Sequence, residues 1–249
     1  MAHALIAGPW ATCGCAARVL PDGCADVVWV HGDLIVAGPA TGAELVSASP
    51  PGERPFGVRL RMGAVEAVLG VPASHLRDAT VPASEIWPRR ARDRVARAAA
   101  SGPGQGARAL LAEVEASARV AAADDLVRTA ARRLDETTAR LPVVAHDLGI
   151  GERQLRRRFE RSVGYGPRTL TRIRRLQRTL AVARRSPQLS LVDLAAAAGY
   201  ADQPHLSREL RRLTGLSPAQ LLASGAVPHG EWATGTFTTC GRPEHRLAA

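Results

Sequence analysis

Two stretches of this chain repeat one another about 50 residues apart, and that repeat restricts the possible folds more than any other feature. The first, VVAHDLGIGERQLRRRFERSVGYGP, sets Ala145, Gly149, Leu155, Phe159, Gly164 and Pro167 at steps of four, six, four, five and three residues. The second, LAAAAGYADQPHLSRELRRLTGLSP, sets Ala195, Gly199, Leu206, Leu210, Gly215 and Pro218 at steps of four, seven, four, five and three. Only the turn differs, by one residue. The pattern predicts a helix ended by a glycine able to take positive φ, then a tight turn. A second helix follows, whose apolar residues at i and i+4 pack back on the first. Ala145 and Ala195 are small where two helices must cross closely. Asp202 offers a carboxylate to the free amides of a helix start, and Pro204 falls in its first turn, where a missing N–H costs nothing. The matching helix of the first unit starts at Gly151.

Between the units, Pro167 to about Arg184 reads as one helix of about 18 residues, roughly 27 Å long at about 1.5 Å per residue. Successive major grooves on one face of B-form DNA lie about 34 Å apart, so this strut with its flanking turns can hold two helices one duplex turn apart. The outward face of the first helix carries Arg153, Arg156, Arg157 and Arg161, and that of the second Gln203, His205, Ser207, Arg208 and Arg212. Arginine and glutamine pair bidentately with guanine and adenine edges. For one unit alone, a solvated face on an ordinary helical hairpin explains these residues equally well; two units on one strut favour duplex DNA.

Charge points the same way. From Asp124 to Ser224 there are 19 Arg against 10 acidic residues, which is +9 of the chain's formal +10. A basic domain joined to a near-neutral one suggests a polyanion for the first and a different partner for the second. A membrane is not expected, since no run of about 18 apolar residues occurs. The N-terminus MAHALIAGPWATCGC has no basic leader and is interrupted by Gly8 and Pro9, so a cytoplasmic location is expected. Four cysteines, Cys13, Cys15, Cys24 and Cys240, are too few for a disulfide scaffold.

Residues 1–62 are rich in Gly and Pro, with β-prone runs at Asp26 to Val30, Leu34 to Ala37 and Gly57 to Arg61 that predict a small sheet. Helical pieces follow from Ala64, broken at Gly70, Pro72, Pro82 and Pro88, and then comes a helix over Arg89 to Ala100. A turn at Ser101-Gly102-Pro103-Gly104 precedes an Ala-rich stretch from about Ala107 to Thr138, read as one helix or two. The expected organisation is multidomain: a small α+β N-terminal domain (1–120) for sensing or interaction, an all-α domain with two helix-turn-helix motifs joined by a long helix (121–224), and a tail (225–249) with no assigned role.

From about Asp124 to Leu222 the pattern resembles the DNA-binding domain of the AraC/XylS family, which has two helix-turn-helix motifs joined by a long helix. The resemblance implies base-facing roles for Arg153, Arg156 and Arg157 in the first unit and for Gln203, His205, Ser207 and Arg208 in the second. Two positions depart from it: Gly151 stands where the family has a Ser cap, and Leu210 where it has an aromatic. The segments LPDGCADVVW, the GP of VAGPATG, and GVRLRMGAVEAVLGVPASHLRDATVPASEIW resemble the short N-terminal domain of some actinobacterial AraC-like regulators, with Met62 in place of a Pro. The resemblance implies a cytoplasmic, non-enzymatic, sequence-specific transcription factor acting on a double-stranded operator. It further implies modulation by a small effector or a homodimer contact through the N-terminal domain, and contact with RNA polymerase if the protein activates.

Trp10, Asp22, Cys24, Asp26, Trp29, Arg59 and Arg61 supply aromatic, acidic and cationic groups able to line an effector pocket; Trp29 fits the core of the sheet equally. Cys13, Cys15 and Cys24, with His3 or His31, leave open a metal or thiol sensor, or a Cys-dependent DNA-repair module. Cys-x-Cys lacks the second ligand pair of a structural zinc site, so no metal and no cofactor is expected. An architectural DNA binder without an effector is the remaining alternative. No phosphate-binding glycine loop, nucleophile elbow or metalloprotease motif occurs.

Overall fold

In the computed structural model, which describes residues 6–12, 14, 16–118, 124–136 and 140–224, the described residues form seven strands, and the three β-prone runs fall in the third, fourth and sixth of them. The strands are β1 (Ile6–Ala11), β2 (Ala17–Val19), β3 (Ala25–Val30), β4 (Asp33–Ala37), β5 (Glu44–Val46), β6 (Phe56–Leu60) and β7 (Thr80–Pro82). Five of them form an antiparallel sheet in the order β1-β6-β3-β4-β7, and β2 pairs with β5 in a second, two-stranded sheet. The β3–β4 hairpin turns on His31 and Gly32, at φ 53° and 74°. Two residues at positive φ give the turn whose twist matches that of the strands it joins. Residues of β6 are buried along its whole length, because β1 and β3 flank it and α3 (Pro103–Ala118) packs over it. The contact is close: a Cβ on Gly106 would lie 2.4 Å from the Phe56 ring, so only glycine fits there.

α1 (Val65–Leu69) and α2 (Arg89–Ala100) complete the N-terminal helices with α3, and short 3-10 turns at Ala73–His75 and Ala83–Glu85 bridge them to the sheet. The stretch from Ala107 to Thr138 holds two helices, α3 and α4 (Asp125–Glu136). Helix α3 begins earlier than expected, at Pro103, inside the stretch read as a turn. Gly102, at φ 128°, makes the turn, and a proline in the first turn sacrifices no helical hydrogen bond.

The remainder is helical: α5 (Leu141–Asp147), α6 (Glu152–Val163), α7 (Pro167–Arg185), α8 (Leu191–Ala198), α9 (Gln203–Thr214) and α10 (Pro218–Ala223). Two apolar cores result. The first joins Val27, Val36, Phe56 and Val58 of the sheet to Leu110 and Val114 of α3. The second joins Val127, Ala145, Leu155, Phe159, Ile173 and Leu176 to Ala195, Leu206 and Leu210, and it also takes in Leu20 from the N-terminal part. Among the described residues no helix is long and apolar enough to cross a membrane.

Candidate nucleic-acid interface

Each unit of the repeat folds as its spacing requires. Gly149 and Gly199 turn the chain at φ 68° and 82°, and the Ile150 and Tyr200 amides donate back to Ala145 O and Ala195 O. Ala145 and Ala195, each 1% exposed, lie in the core. The two starts differ as expected. Gly151 caps α6 with no side-chain hydrogen bond, whereas the Asp202 carboxylate accepts from the His205 amide at 2.6 Å. Helix α7 has 19 residues, about 28 Å at about 1.5 Å each. Arg172 of α7 reaches Glu209 of α9 at 2.6 Å, fixing the strut against the second unit.

The candidate residues of α9 are held in a mutual arrangement. Gln203 Nε2 donates to Ser207 Oγ at 3.0 Å. His205 Nδ1 accepts from the Ala201 amide at 3.4 Å, and its ring meets Tyr200 edge-on at 5.3 Å. Tyr200 is in turn covered by the Arg175 guanidinium, 5.7 Å from the ring centre. With Nδ1 accepting, the imidazole proton sits on Nε2, making that nitrogen a donor. Arg208 and Arg212 are exposed.

The candidates of α6 are less uniform. Arg153 and Arg157 are exposed and, with Arg161, line an open cleft. Arg156 pairs with Glu152 one turn earlier, its Nε 2.9 Å from the carboxylate. Arg161, expected on the outward face, is exposed and is held there by Glu66 of α1, its Nε 2.9 and 3.0 Å from the two oxygens. A contact across 95 residues of sequence leaves no periodic trace, so helical spacing could not reveal it.

In the N-terminal part, the acidic and cationic groups singled out for a pocket converge on one another. Arg59, 3% exposed, places Nη1 2.6 Å from Asp22, and Nη2 and Nε 2.7 and 3.1 Å from the two oxygens of Asp26. Burial pushes the Asp22 carboxyl above its ordinary range, against the pull of Arg59. Burial disfavours the charge of Arg59, but the two carboxylates outweigh it and hold the guanidinium ionised. Trp29 stacks on Phe56 with centroids 6.2 Å apart, and Arg61 Nε donates to Ile6 O at 3.0 Å. The side chain of Trp10 and the residues His3, Cys13, Cys15 and 225–249, which include Cys240, lie outside the described residues. Cys24 is a free thiol pushed up by burial and by Asp22. Among the described residues no cluster of His, Cys, Asp and Glu is arranged to hold a metal.

Sequence reasoning missed what the Leu20-Pro21-Asp22-Gly23 turn does. Leu20 is buried in the helical core, Pro21 O accepts from Gln177 Nε2 of α7 at 2.6 Å, and Gly23 lies against the Tyr165 hydroxyl. A turn motif gives its own shape but not its neighbour.

Residues 144–224 match a family described as a helix-turn-helix domain, and residues 5–82 match a domain of unknown function, DUF6597. No curated protein matches the chain significantly. Among solved structures, ToxT from Vibrio cholerae O395 is similar at 11% identity over 87% of this chain and 96% of that one, TM-score 0.41. A second ToxT structure from Vibrio cholerae gives 9%, 87%, 97% and 0.47. ToxT from Vibrio cholerae strain SCE256 with unsaturated fatty acid bound gives 10%, 86%, 93% and 0.44. These likenesses are too loose to carry an argument. The family match stands on the segment that forms both units: residues 144–224 carry a helix-turn-helix domain of the AraC type, behind an N-terminal DUF6597 domain.

Proposed function

We propose that the protein reads a duplex operator through two consecutive major grooves, α6 in one and α9 in the next. Its N-terminal domain, ending near residue 120, conveys a small effector or partner signal to that reading. The observation that carries the proposal is the pairing of two like helices on one strut, α7, of 19 residues. With the turns that flank it, a rod of about 28 Å suits grooves recurring at about 34 Å. Arg208 and Gln203 of α9 are the base-reading candidates, suited to guanine and adenine edges respectively. His205 adds a donor and Ser207 either polarity, while Arg212 is suited to phosphate. In α6 the same roles fall to Arg153 and Arg157, with Arg156 and Arg161 available once released from Glu152 and Glu66.

The test is selection of bound duplexes from random sequence by the full chain, followed by binding of the Arg208→Ala variant to the selected site. The variant should lose about 1 to 3 kcal/mol and relax base choice locally. Affinity should fall steeply with salt, by about 0.9 log units per log unit of salt for each phosphate neutralised. Arg208→Ala binding like wild type would overturn the assignment of α9. A chemistry of thiol attack is disfavoured at Cys24, since a thiol held protonated by burial is a poor nucleophile.

A further inference from the structure

The second core and the Glu66–Arg161 contact make the two helix-turn-helix units unequal, and this inequality goes beyond the reading of two grooves. Arg153, Arg157 and Arg161 follow one another at i, i+4 and i+8, opposite the buried Leu155, Phe159 and Ser162. They are the stripe of α6 that must face a groove. In front of that stripe stands the N-terminal domain. An open cleft of about 900 Å³ has Pro72, Ser74 and His75 on one wall and the three arginines on the other. Arg161, at the C-terminal end of the stripe, is held by Glu66 of α1. Just beyond, at the end of α6, a Cβ on Gly164 would lie 2.5 Å from Pro39 and 3.2 Å from Ala73 O, so the two domains touch there nearly backbone to backbone.

A helix with its side chains is about 10 to 12 Å across, and the major groove is about 12 Å wide and about 8.5 Å deep. A groove that accepts α6 has no room for a second protein wall on the same stripe. The second unit is held differently. The hydrogen bonds from the N-terminal domain to α9 fall on its last turn: Ala43 N–H to Leu213 O and Arg18 Nη1 to Thr214 O, both at 2.8 Å. They grip backbone acceptors about three turns away from Gln203.

We propose that this structure is a closed state in which the N-terminal domain masks the first recognition helix. In that state α9 engages DNA first, and α6 engages only after α1 and the Pro72–His75 segment move off it. The proposal rests on α6 and α9 being the DNA-reading pair. An anion or protein partner that loosens the Glu66–Arg161 contact would thereby switch the protein from one-groove to two-groove binding.

The test is hydrogen exchange of the full chain with and without the duplex recovered by selection. Binding should protect 152–163 and 203–214 and should deprotect 66–78. If 66–78 keeps or gains protection while both helices are protected, the mask is refuted and DNA reading stands. If neither helix gains protection, DNA reading itself fails and the mask with it. Glu66→Arg gives an independent measure, because it places like charges at the latch. The ratio of affinities for the full site and for a half-site read by α9 alone should rise about fivefold, the factor that corresponds to an exposed ion pair at the upper end of its range. The ratio cancels the general gain from the change of two charge units, from negative to positive, and a ratio that stays constant or falls overturns the proposal.

Discussion

Replacing Arg59 by Met asks whether Asp22, Asp26 and Arg59 serve the fold or wait for a ligand. In the structure the guanidinium makes three hydrogen bonds to two carboxylates, with the Arg59 side chain 4% and both Asp side chains 13% exposed. Methionine keeps most of the volume and removes the charge, leaving two carboxylates that repel each other and have lost their solvation. Breaking a buried ion pair in this way costs about 3 to 5 kcal/mol. A domain of ordinary stability has about 5 to 15 kcal/mol in total, so the loss removes a large share of it. Urea unfolding followed by tryptophan emission reports on this domain, because Trp29 and Trp87 both lie in its core region. The expected result is a midpoint shifted strongly downward with an unchanged slope. If Arg59→Met unfolds within about 1 kcal/mol of wild type, the triad is not structural and a ligand-binding role for these residues regains its force.

Asp22→Asn tests the sign of one pKa shift. Because burial raises the folded value above 3.8, the folded chain holds this proton more tightly than the unfolded chain. The contribution of Asp22 is therefore full below about pH 4 and is lost as pH rises through its folded value. Relative to wild type, Asp22→Asn should gain stability as pH rises above about 4 in urea titrations; a difference independent of pH would refute the shift. Leu20→Ala should cost about 2 to 5 kcal/mol and should lower the melting of the helical domain, although Leu20 precedes that domain by a hundred residues. Unchanged helical melting would mean that the insertion is passive. Asp202→Ala should remove about 1 kcal/mol through the lost cap, whereas Gly151→Ser should add a few tenths, both read as shifts in thermal midpoint. Equal effects of the two changes would contradict the difference in capping.

How far the sequence carries depends on the distance over which each interaction acts. The helical hairpins were legible because their causes are local. Gly149 and Gly199 need positive φ, Ala145 and Ala195 need closeness, and Asp202 caps three residues ahead, all within one turn of the residue concerned. Strands β3 and β4 were legible as β-prone runs, although the hairpin that joins them was not read. What could not be read is what crosses between distant segments. Strands β2 and β5 are three residues each, too short for a period-two signal, and they pair across more than 20 residues. Asp22, Asp26 and Arg59 looked like free functional groups because the sheet register that places β3 beside β6 is not written in either strand. Arg161 is the sharpest case. By periodicity it belongs with Arg153 and Arg157, and its chemistry suits phosphate equally. Only the position of α1 makes Glu66 its partner. The same residue thus has one role written in the helix and a second written in the tertiary structure. An arginine that pairs with a carboxylate of its own chain in one state and suits a phosphate in another ties the sensing half to the reading half, because the two anions compete for the same guanidinium.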